Sequence, residues 1–114
     1  MKYAALIYSK PGSHEALPED QYKAMYAEYM ALAEDGRTAE SAQLQPIETA
    51  TTVRVQDGQT LTTDGPFADT KEVFAGYYVL EAQNLDEAIE FAARIPAARL
   101  GGAIEVRPVV ESPR

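Results

Sequence analysis

Apolar positions change their period along the chain, and each change marks an element. Residues 3 to 8, Tyr-Ala-Ala-Leu-Ile-Tyr, form a short apolar run that predicts a strand. Pro11, Gly12 and Pro18 make the next stretch a loop. Pro18 suits the first position of a helix, and Glu19 and Asp20 suit its positive first turn. Tyr22, Met25, Tyr26, Tyr29, Met30 and Ala33 then recur at helical spacing, and Gly36 is a stop signal. Residues 39 to 46 read as either a short strand or an ordered loop. Residues 51 to 56 alternate, with Val53 and Val55 on one side. Asp57-Gly58 is a two-residue hairpin signal, and residues 59 to 63 return as the partner strand with Leu61 turned inward. Asp64-Gly65-Pro66 forms a second turn. Residues 73 to 81 predict a strand. Asn84 caps a second helix with Glu87 three residues on, and Leu85, Ala88, Ile89, Ala92 and Ile95 supply its apolar face. Pro96 ends that helix, and Gly101-Gly102 leads into a last strand over 103 to 110.

This order is βαββαβ with an added β-hairpin, the pattern of a ferredoxin-like α+β sandwich. At 114 residues the chain suits a single domain, 1 to 114. Strands 3–8 and 77–80 are apolar on both faces, yet two helices cover only one face of a four-stranded sheet. A second copy laid over the bare face would resolve this, so the pattern predicts a homodimer.

Charge and composition narrow the function. Ten basic residues against eighteen acidic give a net charge of −8, and the basic ones are scattered, which argues against nucleic-acid binding. The absence of cysteine removes disulfides, thiolate metal sites and cysteine nucleophiles. With one histidine, no zinc site is expected, and the glycines form no phosphate-binding signature, so no cofactor is expected. The N-terminal apolar run is too short for a signal peptide or a membrane span, which points to a cytoplasmic protein without a membrane partner.

Candidate chemistry is sparse. Asp64, on a turn ahead of an aromatic strand, reads either as a general base or as the acceptor of an Asx turn. His14 titrates near neutrality and reads either as an acid–base partner or as a solvated loop residue between Ser13 and Glu15. Tyr77, Glu40 and Phe67 are candidate substrate contacts, and Glu72 is a further carboxylate. Residues 69 to 72 read as a polar turn in which Asp69 or Thr70 caps. Tyr22, Tyr26, Tyr29, Tyr77 and Tyr78 suit either an aromatic pocket or core and dimer packing.

Several strings resemble the DGPF branch of the YCII-related family: Met1-Lys2-Tyr3, Leu44-Gln45-Pro46, residues 50 to 55, and Thr63-Asp64-Gly65-Pro66-Phe67-Ala68-Asp69-Thr70-Lys71-Glu72. Gly76-Tyr77-Tyr78, residues 85 to 88, residues 93 to 96 and residues 105 to 108 extend the resemblance along nearly the whole chain. The stretch 36 to 43 is compressed against the family pattern. The resemblance implies a dimeric α+β barrel. It also implies either a small-molecule enzyme built on a His–Asp pair or a non-catalytic regulatory module, some relatives being associated with extracytoplasmic-function sigma factors.

Overall fold

The computed structural model describes residues 1–68 and 70–111. Six strands and two helices follow in the order β1 (Lys2–Ser9), α1 (Glu19–Ala33), β2 (Thr38–Gln43), β3 (Thr51–Gln56), β4 (Gln59–Asp64), β5 (Val73–Glu81), α2 (Leu85–Ala93) and β6 (Ala103–Pro108). Short 3-10 turns stand at Ile47–Thr49 and Pro96–Ala98. One antiparallel sheet has the order β2-β5-β1-β6, and β3 and β4 form a separate two-stranded sheet. The four-stranded order with two helices on one side is the ferredoxin-like arrangement, and the ambiguous stretch after Gly36 is its edge strand.

The core lies between the sheet and the helices. Tyr3, Ala5 and Ile7 of β1 and Tyr78 and Leu80 of β5 point into it. Ala88, Phe91 and Ile95 from the α2 side meet them. Phe91 is fully buried, and the Tyr78 ring meets it edge-on at 5.4 Å. The α2 face differs from expectation here: Leu85 and Ile89 are exposed, and Phe91 takes the core. The rotation follows from size, because the helix turns its one large ring inward and leaves the aliphatics at its margin. Asn84 Oδ1 accepts from the Glu87 N–H at 2.9 Å, as its capping position predicts. Pro18 stands at the cap rather than inside α1. Gly76 lets β2 close on β5, since a Cβ there would lie 2.5 Å from the Ala42 carbonyl oxygen.

Among the described residues no layer covers the opposite sheet face. Alternation puts Ala4, Leu6, Tyr8, Tyr77 and Val79 there, all half-buried. The β3–β4 hairpin turns through Asp57 and Gly58, both at positive φ, as a type I′ turn requires. Its strands pair with each other and pack on no other element extensively. Leu61 is therefore exposed rather than inward, and register puts it opposite Arg54, on the reverse side from Val53 and Val55. The expectation failed because it assumed a core beneath a hairpin that projects from the body.

Candidate functional site

A cleft of about 700 Å³ opens between α1, the loop after β1, and the segment joining β2 to β3. The stripe on α1, whose spacing suits either an aromatic pocket or packing, forms one wall. Met25 is buried, but Tyr22, Tyr26 and Met30 are exposed and border the cleft. Ile7, Ser41, Gln43, Phe74 and Ala75 border it on the sheet side.

His14 enters this cleft because the loop folds back on itself. Ser13 N–H donates to the Lys10 carbonyl at 3.0 Å, and Leu17 N–H donates to the His14 carbonyl at 3.2 Å, with Gly12 supplying a positive φ. The imidazole Nε2 stands 2.8 Å from the Tyr29 hydroxyl, and Nδ1 stands 3.0 Å from Ser13 Oγ. The two rings stack with centroids 5.8 Å apart. His14 is thus a fixed, half-buried residue rather than a solvated one. Tyr29, fifteen positions on, was legible only as one tyrosine of a stripe.

The electrostatics set the protonation of this pair. Burial lowers the His14 pKa below its ordinary 6.5, opposed by the nearby Glu15 carboxylate. Burial raises the Tyr29 pKa above 10.0, partly offset by the Ala97 backbone N–H and the Arg99 charge. At neutral pH the imidazole is therefore neutral and the phenol protonated. A neutral imidazole has one donor and one acceptor nitrogen. If Nδ1–H donates to Ser13, Nε2 accepts from Tyr29, and the hydroxyl oxygen keeps an acceptor site for a ligand.

The other candidates lie elsewhere or are engaged. Asp64 ends β4 opposite Thr51 and does not border the cleft, so within one chain it forms no pair with His14. Among the described residues the turn after it is closed by Gly65 N–H to the Ala50 carbonyl at 2.8 Å and by Thr52 Oγ1–H to the Gly65 carbonyl. Phe67 is exposed under the Arg54 guanidinium, 4.8 Å from its ring centroid, and also lies outside the cleft. Tyr77 borders the cleft and donates its hydroxyl to Glu40 Oε2 at 2.8 Å, while Glu40 itself is not in the lining. Thr70 donates to the Glu72 carbonyl, which makes a local turn, and Asp69 lies outside the described residues. Among the described residues no cluster of three His, Asp or Glu could hold a metal, and no helix is long and apolar enough to cross a membrane.

Comparison with known proteins places this architecture. The model of the YCII-related domain matches residues 1–113, and the chain belongs to that family. An uncharacterized protein of Rhizobium meliloti (strain 1021) is 34% identical over 114 residues, spanning 96% of this chain and 92% of that protein. Among solved structures, the 5-chloro-2-hydroxyhydroquinone dehydrochlorinase of Burkholderia phenoliruptrix AC1100, in complex with 2,5-dihydroxybenzoquinone, aligns with a TM-score of 0.56. It is 18% identical and covers 98% of this chain and 96% of its own, a likeness of fold.

Proposed function

We propose that the cleft binds a small hydroxylated ring compound and that His14 and Tyr29 move a proton on it. The observation that carries this reading is the 2.8 Å His14–Tyr29 contact bordering an aromatic-walled cavity of about 700 Å³. Cavities of roughly 300–1,000 Å³ suit small organic ligands. In the relay, the ligand hydroxyl gives its proton to Tyr29 Oη as Tyr29 passes its own to His14 Nε2. The products are the deprotonated ligand and an imidazolium, whose charge the Glu15 carboxylate stabilises. Proton return reverses the same steps. The fold neighbour acts on a chlorinated hydroxyhydroquinone, which supports this substrate class by analogy of fold.

The same reading takes the working unit as a homodimer joined through the bare sheet face. A second reading, a binding module without turnover, is favoured by the single acid–base pair in the cleft and would include partnership with a sigma factor.

Calorimetric titration with 2,5-dihydroxybenzoquinone tests the site. We expect binding by the wild type and a loss of about tenfold or more in His14→Ala and Tyr29→Phe, the loss associated with one well-placed hydrogen bond. Undiminished affinity in both variants, or no binding by the wild type, overturns the proposal. Deprotonation of a bound hydroquinone, whose phenol is still protonated at neutral pH, followed by its absorbance, separates the proton-moving site from the passive module.

A further inference from the structure

We propose that the β3–β4 hairpin docks onto a second copy of this chain, and that this docking fixes one wall of the cleft. The inference rests on the cleft being a ligand site and extends it to the control of that site.

The first observation is the surplus of surface. The chain exposes 7920 Å², whereas a compact monomer of 12.5 kDa exposes about 6,200 Å². Its radius of gyration is 16.0 Å, against about 13 Å for a compact domain of this length. The excess, about 1,700 Å², exceeds the roughly 800 Å² per partner of a standard interface. Two surfaces contribute to it: the uncovered sheet face and the projecting hairpin, which exposes Val53, Val55 and Leu61.

A second copy is the occupant that covers both. An isologous pair uses the same two surfaces twice, so each chain can receive the other's arm beside its bare face and leave neither uncovered. The sheet face is apolar and the arm adds Val53 and Val55 on one side and Leu61 on the other, which suits such an exchange, and the net charge of −8 opposes a nucleic acid there.

The second observation ties the arm to the cleft. Both stems of the hairpin belong to the cleft wall. Leu44 to Glu48 border the cavity and run directly into β3, and Val73 to Tyr77 border it where the chain returns from β4 into β5. The stems are tied by Leu44 N–H to the Ala75 carbonyl at 2.9 Å, and the arm's root by Gly65 N–H to the Ala50 carbonyl at 2.8 Å. On this proposal an arm held by a partner holds both stems, whereas without a partner the arm is tied to the body through these stems alone. Docking and ligand binding then favour the same wall conformation, and each strengthens the other by the same factor.

Hydrogen exchange on the full chain tests this without a ligand. Val53→Glu with Val55→Glu charges one face of the arm and touches no residue that lines the cleft. We expect a dimeric wild type by sedimentation and a monomeric double variant. In that monomer the amides of Leu44, Thr49 and Ala50 should exchange at least tenfold faster, while those of Ala5 and Leu80 stay protected and report an intact core. Thr60→Arg with Thr62→Arg, on the same face through the opposite strand, should reproduce the pattern. A monomeric wild type, variants that remain dimeric, or a monomer whose wall amides keep their protection would each overturn the proposal. Failure of the wild type to bind 2,5-dihydroxybenzoquinone would instead defeat the proposed function and leave this exchange result standing.

Discussion

His14 and Asp35 show how single residues carry the pH response. The neutral His14 has a folded pKa below 6.5, so the unfolded chain binds the proton more readily. Stability conferred by keeping it neutral is present above pH 6.5 and falls as pH drops through that value. Asp35 is held well below its ordinary 3.8, first by the Arg37 side chain and backbone, and further by Arg94. Its contribution is present above about pH 4 and is lost as pH falls below it. We expect thermal melting to show two separate declines, one from pH 7 to 5 and one below pH 4. His14→Gln should flatten the first and Asp35→Asn the second. Phe91 carries a different load. Its ring is fully buried, with the Arg37 and Arg94 guanidinium carbons 5.5 and 5.8 Å from its centroid. Phe91→Ala should cost about 3–5 kcal/mol in chemical denaturation, the loss expected for a buried phenylalanine.

At the scale of elements, boundaries were legible where local chemistry was decisive. Asp57-Gly58 fixed the hairpin turn and Asn84 fixed the start of α2, because each satisfies backbone demands that few other residues meet. Asn84→Ala should lower stability by about 1 kcal/mol by equilibrium unfolding, and Asn84→Asp should restore it, since a carboxylate also accepts from the Glu87 amide. Orientation was less legible. Nine residues with three alanines leave α2 two plausible apolar faces, and tertiary space decided for Phe91 over Ile89. The α1 stripe was legible, but its role stayed open between pocket and packing, because an aromatic face lining a cleft has the same period as one filling a core. The His14–Tyr29 pair was hidden for a related reason: a loop residue and a helix residue fifteen positions apart meet only through the fold.

For the whole molecule, the strand, helix, hairpin and helix order was enough to state the ferredoxin-like class, and the sheet order follows it. The doubly apolar strands were also readable, and the uncovered face is where alternation puts it. Whether a partner covers that face lies outside one chain's sequence pattern, as does the place of Asp64, at the end of the arm's second strand. Light scattering at micromolar concentration should give twice the 12.5 kDa chain mass, and Leu6→Glu on the bare face should reduce it toward a single chain.

The hairpin has a consequence for the single chain. A two-stranded ribbon leaves an unpaired row of backbone N–H and carbonyl groups along each outer edge, open to strand addition by any passing chain. In this arm the rows are bordered by valine and threonine, with Arg54 as the only basic residue of β3 and β4. The ribbon edges are therefore the expected sites of strand addition in a single chain, and if the proposed dimer forms, dilution below its dissociation constant should raise the rate of aggregation followed by light scattering.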